Sequence, residues 1–66
     1  MIVILDGKVM DLQESATLES LVQHFHGGNK SFIAALNGIF IFPHRFSQTP
    51  VKEGDCIEFI EVVFGG

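Results

Sequence analysis

The sequence predicts an α+β fold in which one amphipathic helix packs against one face of a mixed sheet of about five strands. Two hairpin-turn signals and one stretch with the apolar periodicity of a helix support this prediction. Asp6-Gly7 and Asn37-Gly38 are favoured two-residue hairpin turns, and each joins two apolar runs. Between the two hairpins, apolar residues recur at the spacing of one helical face. Because a single helix covers only one side of a sheet, we expect the other side to remain open.

The first hairpin is predicted to join a strand over Met1–Leu5 to a return strand over Lys8–Leu12. The first run consists of residues that favour strands, and it stops at the Asp-Gly pair. It is also too short to be the hydrophobic region of a signal peptide or a membrane span. We therefore expect a cytoplasmic protein that does not associate with membranes.

The helix is predicted to begin after Thr17, whose side chain is a good N-cap. Glu19 lies in the first turn, where the helix dipole favours an anion. Gly27-Gly28 is expected to end the helix because glycine accepts the left-handed conformation that closes a last turn. The buried face, at positions i, i+3, i+4 and i+7, is predicted to consist of Leu18, Leu21, Val22 and Phe25.

The second half of the chain is predicted to return to strands, over Phe32–Leu36, Ile39–Phe42 and Cys56–Val63. The segment Pro43–Pro50 is expected to be irregular, with room for one short helical turn, because proline lacks the donor that a strand ladder uses. Lys52–Asp55 is a predicted turn that leads into the last strand.

Composition excludes several classes of function. The 66 residues carry a formal net charge of −4, and only four of them are Lys or Arg. Nucleic-acid binding favours clustered basic residues, so this class is not expected. The single cysteine, Cys56, cannot form an internal disulfide, which suits a reducing compartment. We expect a single domain over residues 1–66 with a flexible C-terminal Gly-Gly tail.

Hydrophobic residues make up 47% of the chain, more than one helix and one sheet face need to cover each other. The first and last strands are apolar on both sides, so part of this material should lie on the open face. An exposed apolar patch on a small protein indicates a partner surface. The residues predicted to dock a partner are Ile2, Ile4, Phe40, Ile60 and Val62.

Neither a metal site nor a catalytic site is predicted. The polar residues considered for such roles are His24, His26, His44, Cys56, Glu58 and Glu61. His24 and His26 are two residues apart near a helix end and so point to different faces of the helix. No further residue completes a set of metal ligands with them, so we expect both histidines to lie at a solvated helix end. Cys56 has no base nearby in sequence and is interpreted as an inert strand cysteine. The two glutamates are expected to be solvated strand residues, and no nucleophile-base pair or cofactor loop points to an enzyme.

The turns and their spacing together resemble a known family. They comprise Asp6-Gly7, Ala16-Thr17 followed by Leu21, Asn37-Gly38, Phe46, Thr49, Lys52–Asp55 and the terminal Gly65-Gly66. This pattern is similar to that of ThiS, the sulfur carrier of thiamine thiazole synthesis, and the match extends over essentially the whole chain. The resemblance implies a ubiquitin-like β-grasp fold within the ThiS/MoaD superfamily.

The resemblance also implies a chemical role for the tail. A ThiF-type adenylating enzyme would use ATP and Mg²⁺ to activate the Gly66 carboxylate, while the carrier itself binds no cofactor. A cysteine desulfurase or another persulfide donor would then supply sulfur to form a thiocarboxylate at Gly66, which a ThiG-type thiazole synthase would consume. Gly65 and Phe64 would govern access of the tail to the adenylating site, and glycine allows close backbone approach there because it has no Cβ.

Two alternatives remain open on the sequence. One is a related carrier that serves molybdopterin synthesis or another sulfur-transfer pathway. The other is a ubiquitin-like modifier that becomes conjugated to lysines. In each of these functions the chain is a protein substrate of an adenylating enzyme and is not itself an enzyme.

Overall fold

The computed structural model describes residues 1–27 and 31–62. The strands are β1 (Ile2–Leu5), β2 (Lys8–Asp11), β3 (Ala16–Thr17), β4 (Phe32–Leu36), β5 (Ile39–Ile41), β6 (Pro50–Val51) and β7 (Cys56–Glu61). One α-helix, α1 (Leu18–His26), follows β3, and a 3₁₀ helix spans Pro43–Gln48. Each predicted strand is present. β4 has the predicted bounds, β1, β2 and β5 are each one residue shorter than predicted, and β7 ends at Glu61. Val63, the predicted end of the last strand, lies outside the described residues.

Five strands form the main sheet in the order β2-β1-β7-β4-β5. The strands β1 and β7 run parallel, and every other neighbouring pair is antiparallel. This arrangement confirms the predicted mixed sheet with one principal helix. The last strand of the sequence therefore occupies the middle of the sheet, where it is paired on both sides.

A second, two-stranded sheet joins β3 to β6, with Ala16 opposite Val51 and Thr17 opposite Pro50. This sheet was not predicted. The short helical turn expected within Pro43–Pro50 is present as the 3₁₀ helix, but the expectation that the rest of the segment is irregular is wrong at Pro50. A two-residue ladder at an edge tolerates proline because it does not need the missing N–H. The carbonyl of Thr49 meanwhile accepts a hydrogen bond from the Leu18 N–H at 3.0 Å, which ties this segment to the start of α1.

Both ends of α1 are capped as the sequence predicts. The Thr17 hydroxyl accepts a hydrogen bond from the Ser20 N–H at 3.2 Å, and the Ser20 hydroxyl oxygen accepts one from the Thr17 N–H at 3.0 Å. This reciprocal pair is a capping box. Gly27 ends the helix with φ of 67°, a left-handed value. Within residues 1–27 and 31–62, no helix is long and apolar enough to span a membrane.

The core lies between α1 and the covered face of the sheet. Its buried hydrophobic residues are Val3, Leu5, Leu18, Leu21, Val22, Ala34, Phe46, Val51, Ile57 and Phe59. Three of the four residues predicted for the helix face are among them. The fourth prediction is wrong, because Phe25 is 38% exposed. Phe25 belongs to the last turn of α1, where it lines an open groove together with Met10 and Leu12.

Candidate functional site

The candidate site is built on β7, the strand that precedes the C-terminal glycines. On one side β7 pairs with β1, where Ile4 lies opposite Cys56. On the other side it pairs with β4 along the whole length of β4, from Phe32 opposite Glu61 to Leu36 opposite Ile57. Beyond the strand, the Val62 N–H donates to the Ser31 carbonyl at 2.8 Å. The chain is thus held by backbone hydrogen bonds as far as Val62, the last described residue.

The two hairpin turns anchor β7 with their side chains as well as shaping the hairpins. Asp6 and Asn37, the first residues of the two turns, have φ of 50° and 52°. Asp6 Oδ1 accepts a hydrogen bond from the Phe59 N–H, and Asn37 Oδ1 accepts one from the Cys56 N–H, both at 2.9 Å. Their backbone N–H groups donate to carbonyls of the same strand. Each turn residue therefore continues a ladder on one flank of β7.

The turn before β7 is tied to the rest of the molecule by carboxylates. Asp55 Oδ2 accepts a hydrogen bond from the Lys52 N–H at 2.8 Å, and Asp55 Oδ1 accepts one from Asn37 Nδ2 at 3.0 Å. Glu53 Oε1 accepts a hydrogen bond from the Ile2 N–H at 2.9 Å. These residues carry the family resemblance, and in the structure they fix the position at which β7 begins.

The face of the sheet opposite α1 is open, as predicted. Side chains on a strand alternate between faces, and residues opposite each other in a ladder share a face. Four of the predicted docking residues lie on this face and are exposed, Ile2 by 42%, Ile4 by 38%, Phe40 by 60% and Ile60 by 39%. Val62 follows the same alternation and is half-buried.

Other members of this open face were not predicted. Val9 lies opposite Ile4 and is 72% exposed. Ile33 lies opposite Ile60, and Ala35 lies between Phe40 and Glu58 in adjacent ladders. Strand alternation alone places these residues on a common face once the register is known, but the sequence does not specify the register between distant strands. We use "open face" below for Ile2, Ile4, Val9, Asp11, Ile33, Ala35, Phe40, Cys56, Glu58, Ile60 and Val62.

His26 differs from its predicted position at a solvated helix end. Its ring stacks on Phe32, with centroids 4.2 Å apart, and meets the edge of Phe59 at 5.4 Å. Its Nε2 lies 3.8 Å from Asp6 Oδ2, and this buried atom has no hydrogen-bond partner in the described part of the chain. The last turn of α1 passes over the end of β4 and β7, which brings the imidazole onto their aromatic side chains. His24 is exposed, as expected.

No metal centre is evident among residues 1–27 and 31–62, since no three His, Cys, Asp or Glu side chains are grouped as ligands. Cys56 is a half-buried free thiol on the open face. The tail residues Phe64, Gly65 and Gly66, for which the family resemblance implies the chemical role, lie outside the described residues. Their roles stay predictions.

A family model described as the ThiS family matches residues 3–66. The chain belongs to the ThiS family. The match extends from the first strand through the terminal Gly65-Gly66 pair and confirms the resemblance seen in the turns.

Two solved structures are similar to this ThiS-family chain over its whole length. One is the crystal structure of a thiamine biosynthesis protein (ThiS) from Geobacter metallireducens, which is 28% identical, with a TM-score of 0.85 and complete coverage of both chains. The other is an NMR solution structure of a thiamine biosynthesis protein from Geobacter metallireducens, which is 29% identical, with a TM-score of 0.76 and coverage of 88% of that chain. No curated protein sequence matches the chain. The structural likeness confirms the predicted β-grasp fold.

Proposed function

We propose that the chain is a sulfur carrier of thiamine thiazole biosynthesis and that its Gly66 carboxylate is converted to a thiocarboxylate. The observation that carries the proposal is the ThiS-family match, which continues through the terminal Gly65-Gly66 pair. The anchoring of β7 supports it, because a strand fixed on both flanks gives the tail a defined origin. The chain is the substrate in this chemistry and its partners supply the catalysis.

The proposed reaction begins with adenylation by a ThiF-type enzyme that uses ATP and Mg²⁺. One oxygen of the Gly66 carboxylate attacks the α-phosphorus of ATP, and pyrophosphate leaves. The terminal sulfur of a persulfide, supplied by a cysteine desulfurase or another donor, then attacks the acyl carbon and displaces AMP. A thiol reduces the resulting acyl disulfide and releases the thiocarboxylate, whose sulfur a ThiG-type thiazole synthase accepts.

The tail must bring the Gly66 carbonyl carbon beside the α-phosphate inside the partner. Gly65 and Gly66 lack Cβ atoms and so permit close approach of the backbone, while Phe64 would set how the tail enters. A displacement of about 1 Å at the reacting atom can reduce the rate ~100-fold. Docking of the open face through Ile2, Ile4, Phe40, Ile60 and Val62 would fix the origin of the tail relative to that site. The proposed compartment is the cytoplasm, where a reducing environment suits the free Cys56 thiol.

The proposal is tested by ATP–pyrophosphate exchange with a purified ThiF-type enzyme. We expect exchange that depends on the wild-type chain and is lost when Gly66 is deleted. A matched control is Gly28→Ala, which changes a glycine remote from the tail in sequence. Exchange that persists without Gly66 would contradict the proposal, as would no exchange with the wild-type chain. A stable complex with the large subunit of a molybdopterin synthase, or Gly-Gly remnants on cellular lysines, would favour one of the other functions.

A further inference from the structure

The open face carries two acidic residues, Asp11 on the edge strand β2 and Glu58 on the central strand β7. Glu58 is exposed in the middle of β7, and Ala35 lies opposite it on β4. Ala35 in turn lies opposite Phe40 on β5, so the three residues form one row across the sheet. Along the strand, the alternation places Cys56 and Ile60 on either side of Glu58. The Glu58 carboxylate thus has Ala35 across the ladder and Cys56 and Ile60 along its own strand as neighbours on the open face.

Glu58 has no counter-ion among the described residues, whereas the other acidic residue of the open face has one. Asp11 Oδ1 lies 3.5 Å from the N-terminal ammonium. In the described part of the chain, Glu58 takes part in no ion pair and no side-chain hydrogen bond. Lys8 lies opposite the buried Leu5 and so belongs to the covered face. Arg45 belongs to the 3₁₀ helix, whose Phe46 is part of the core on the covered side of the sheet.

Burial of an unpaired carboxylate is costly, and truncating one member of a buried charge pair has a large effect for the same reason. Any surface that covers the apolar residues around Glu58 must therefore place a cation against it. A second copy of this chain does not satisfy this requirement, because a two-fold contact centred on the open face brings two Glu58 carboxylates together. Anionic lipids and nucleic-acid phosphates are repelled by the same charge.

We infer that the open face docks an apolar protein surface that carries one Lys or Arg side chain opposite Glu58. This inference rests on the proposed function, and the partner that it describes is the adenylating enzyme. The ion pair fixes the register of the two surfaces, because the apolar contacts around it are non-directional. The position of Glu58 on β7, eight residues before Gly66, couples that register directly to the placement of the tail.

The test compares Glu58→Gln with Glu61→Gln in steady-state adenylation by a purified ThiF-type enzyme. Both variants remove one negative charge from exposed positions of the same strand. Glu61 lies opposite Phe32, which packs against the core, so it belongs to the other face of the sheet. We expect Glu58→Gln to raise the KM for the carrier about 10-fold or more and to weaken its dependence on salt. Glu61→Gln should leave both KM and kcat within about two-fold of the wild-type values.

Circular dichroism and urea titration establish that both variants are folded before their kinetics are compared. Equal KM values for Glu58→Gln and the wild type, with adenylation intact, overturn this inference and leave the proposed function standing. No adenylation of the wild-type chain overturns the proposed function and this inference with it. A wild-type dimer in sedimentation that Phe40→Ala dissociates would assign the open face to a second copy and also overturn the inference.

Discussion

Replacing Asn37 by alanine should destabilise the fold more than its place in an exposed turn suggests. Asn37 Oδ1 accepts the Cys56 N–H at 2.9 Å, and its Nδ2 donates to Asp55 Oδ1 at 3.0 Å. Its backbone also has φ of 52°, in the left-handed region. Alanine removes both side-chain hydrogen bonds and keeps the chain in a conformation that a Cβ disfavours.

The magnitude follows from these two effects. Each hydrogen bond contributes about 0.5–1.5 kcal/mol to the free energy of unfolding, and the exposure of both bonds favours the lower half of that range. The left-handed conformation adds about 1 kcal/mol for a residue with a Cβ. We therefore expect Asn37→Ala to reduce the free energy of unfolding by about 2–3 kcal/mol, a large fraction of the ~5 kcal/mol typical of a small domain.

The assay is urea unfolding followed by far-ultraviolet circular dichroism, since the chain has neither Trp nor Tyr for fluorescence. Asn37→Gly is the matched variant, because it loses the same two hydrogen bonds but accepts the positive φ. It should be more stable than Asn37→Ala by about 1 kcal/mol. A loss of under about 0.5 kcal/mol for Asn37→Ala, or a glycine variant less stable than the alanine variant, would refute the reasoning.

Three further predictions concern the free energy of unfolding and are checked by the same urea assay. Asp6→Ala should lower it by about 2 kcal/mol, because the variant lacks the acceptor of the Phe59 N–H and places alanine at a φ of 50°. Asp6→Asn keeps an oxygen acceptor and should lower it by less than half as much. Equal losses for the two variants would contradict the role of that oxygen. Thr17→Ala should cost about 1 kcal/mol through loss of the helix cap, and Thr17→Ser should restore most of it. No rescue by serine would show that the hydroxyl is not the stabilising group. Phe46→Ala should cost about 3–5 kcal/mol because the ring is 2% exposed in the core, and a loss under ~1 kcal/mol would mean that the 3₁₀ helix does not pack as described.

The sequence predicts the hairpins and the helix well because their signals are local. An Asp-Gly or Asn-Gly pair constrains the backbone angles of its own two residues, and the structure has both turns with positive φ. The helix start depends on Thr17 and the residues that follow it directly. The glycine at position 27 ends the helix for an equally local reason.

Contacts between distant segments could not be predicted in the same way. The small sheet that pairs Thr17 with Pro50 joins residues 33 positions apart, and a two-residue strand has no periodicity to detect. Phe25 has the spacing of the buried helix face, yet its ring is 38% exposed and lines an open groove beside Met10 and Leu12. The aromatic environment of His26 likewise depends on where the helix end meets β4 and β7.

In the candidate site, too, one part can be predicted from the sequence and another depends on contacts between distant segments. Excess apolar residues predict that an open face exists and name Ile2, Ile4, Phe40 and Ile60 on it, and their exposure agrees with that prediction. The central position of Glu58 depends on the register between β4 and β7, which the sequence does not reveal. From the sequence alone, Glu58 is therefore interpreted only as a solvated strand residue. In the structure it lies in one row with Ala35 and Phe40 on the open face.

The central claim is that Gly66 carries sulfur, and intact mass spectrometry tests it most directly. The wild-type chain and a variant without Gly66 are each incubated with ATP, Mg²⁺, a ThiF-type enzyme and a persulfide source, then treated with a thiol reductant. We expect the wild-type chain to gain the mass difference between one sulfur and the one oxygen that it replaces, and the shortened chain to keep its mass. An unchanged wild-type mass under conditions where the enzyme converts its own carrier would contradict the account, as would an equal gain in both chains.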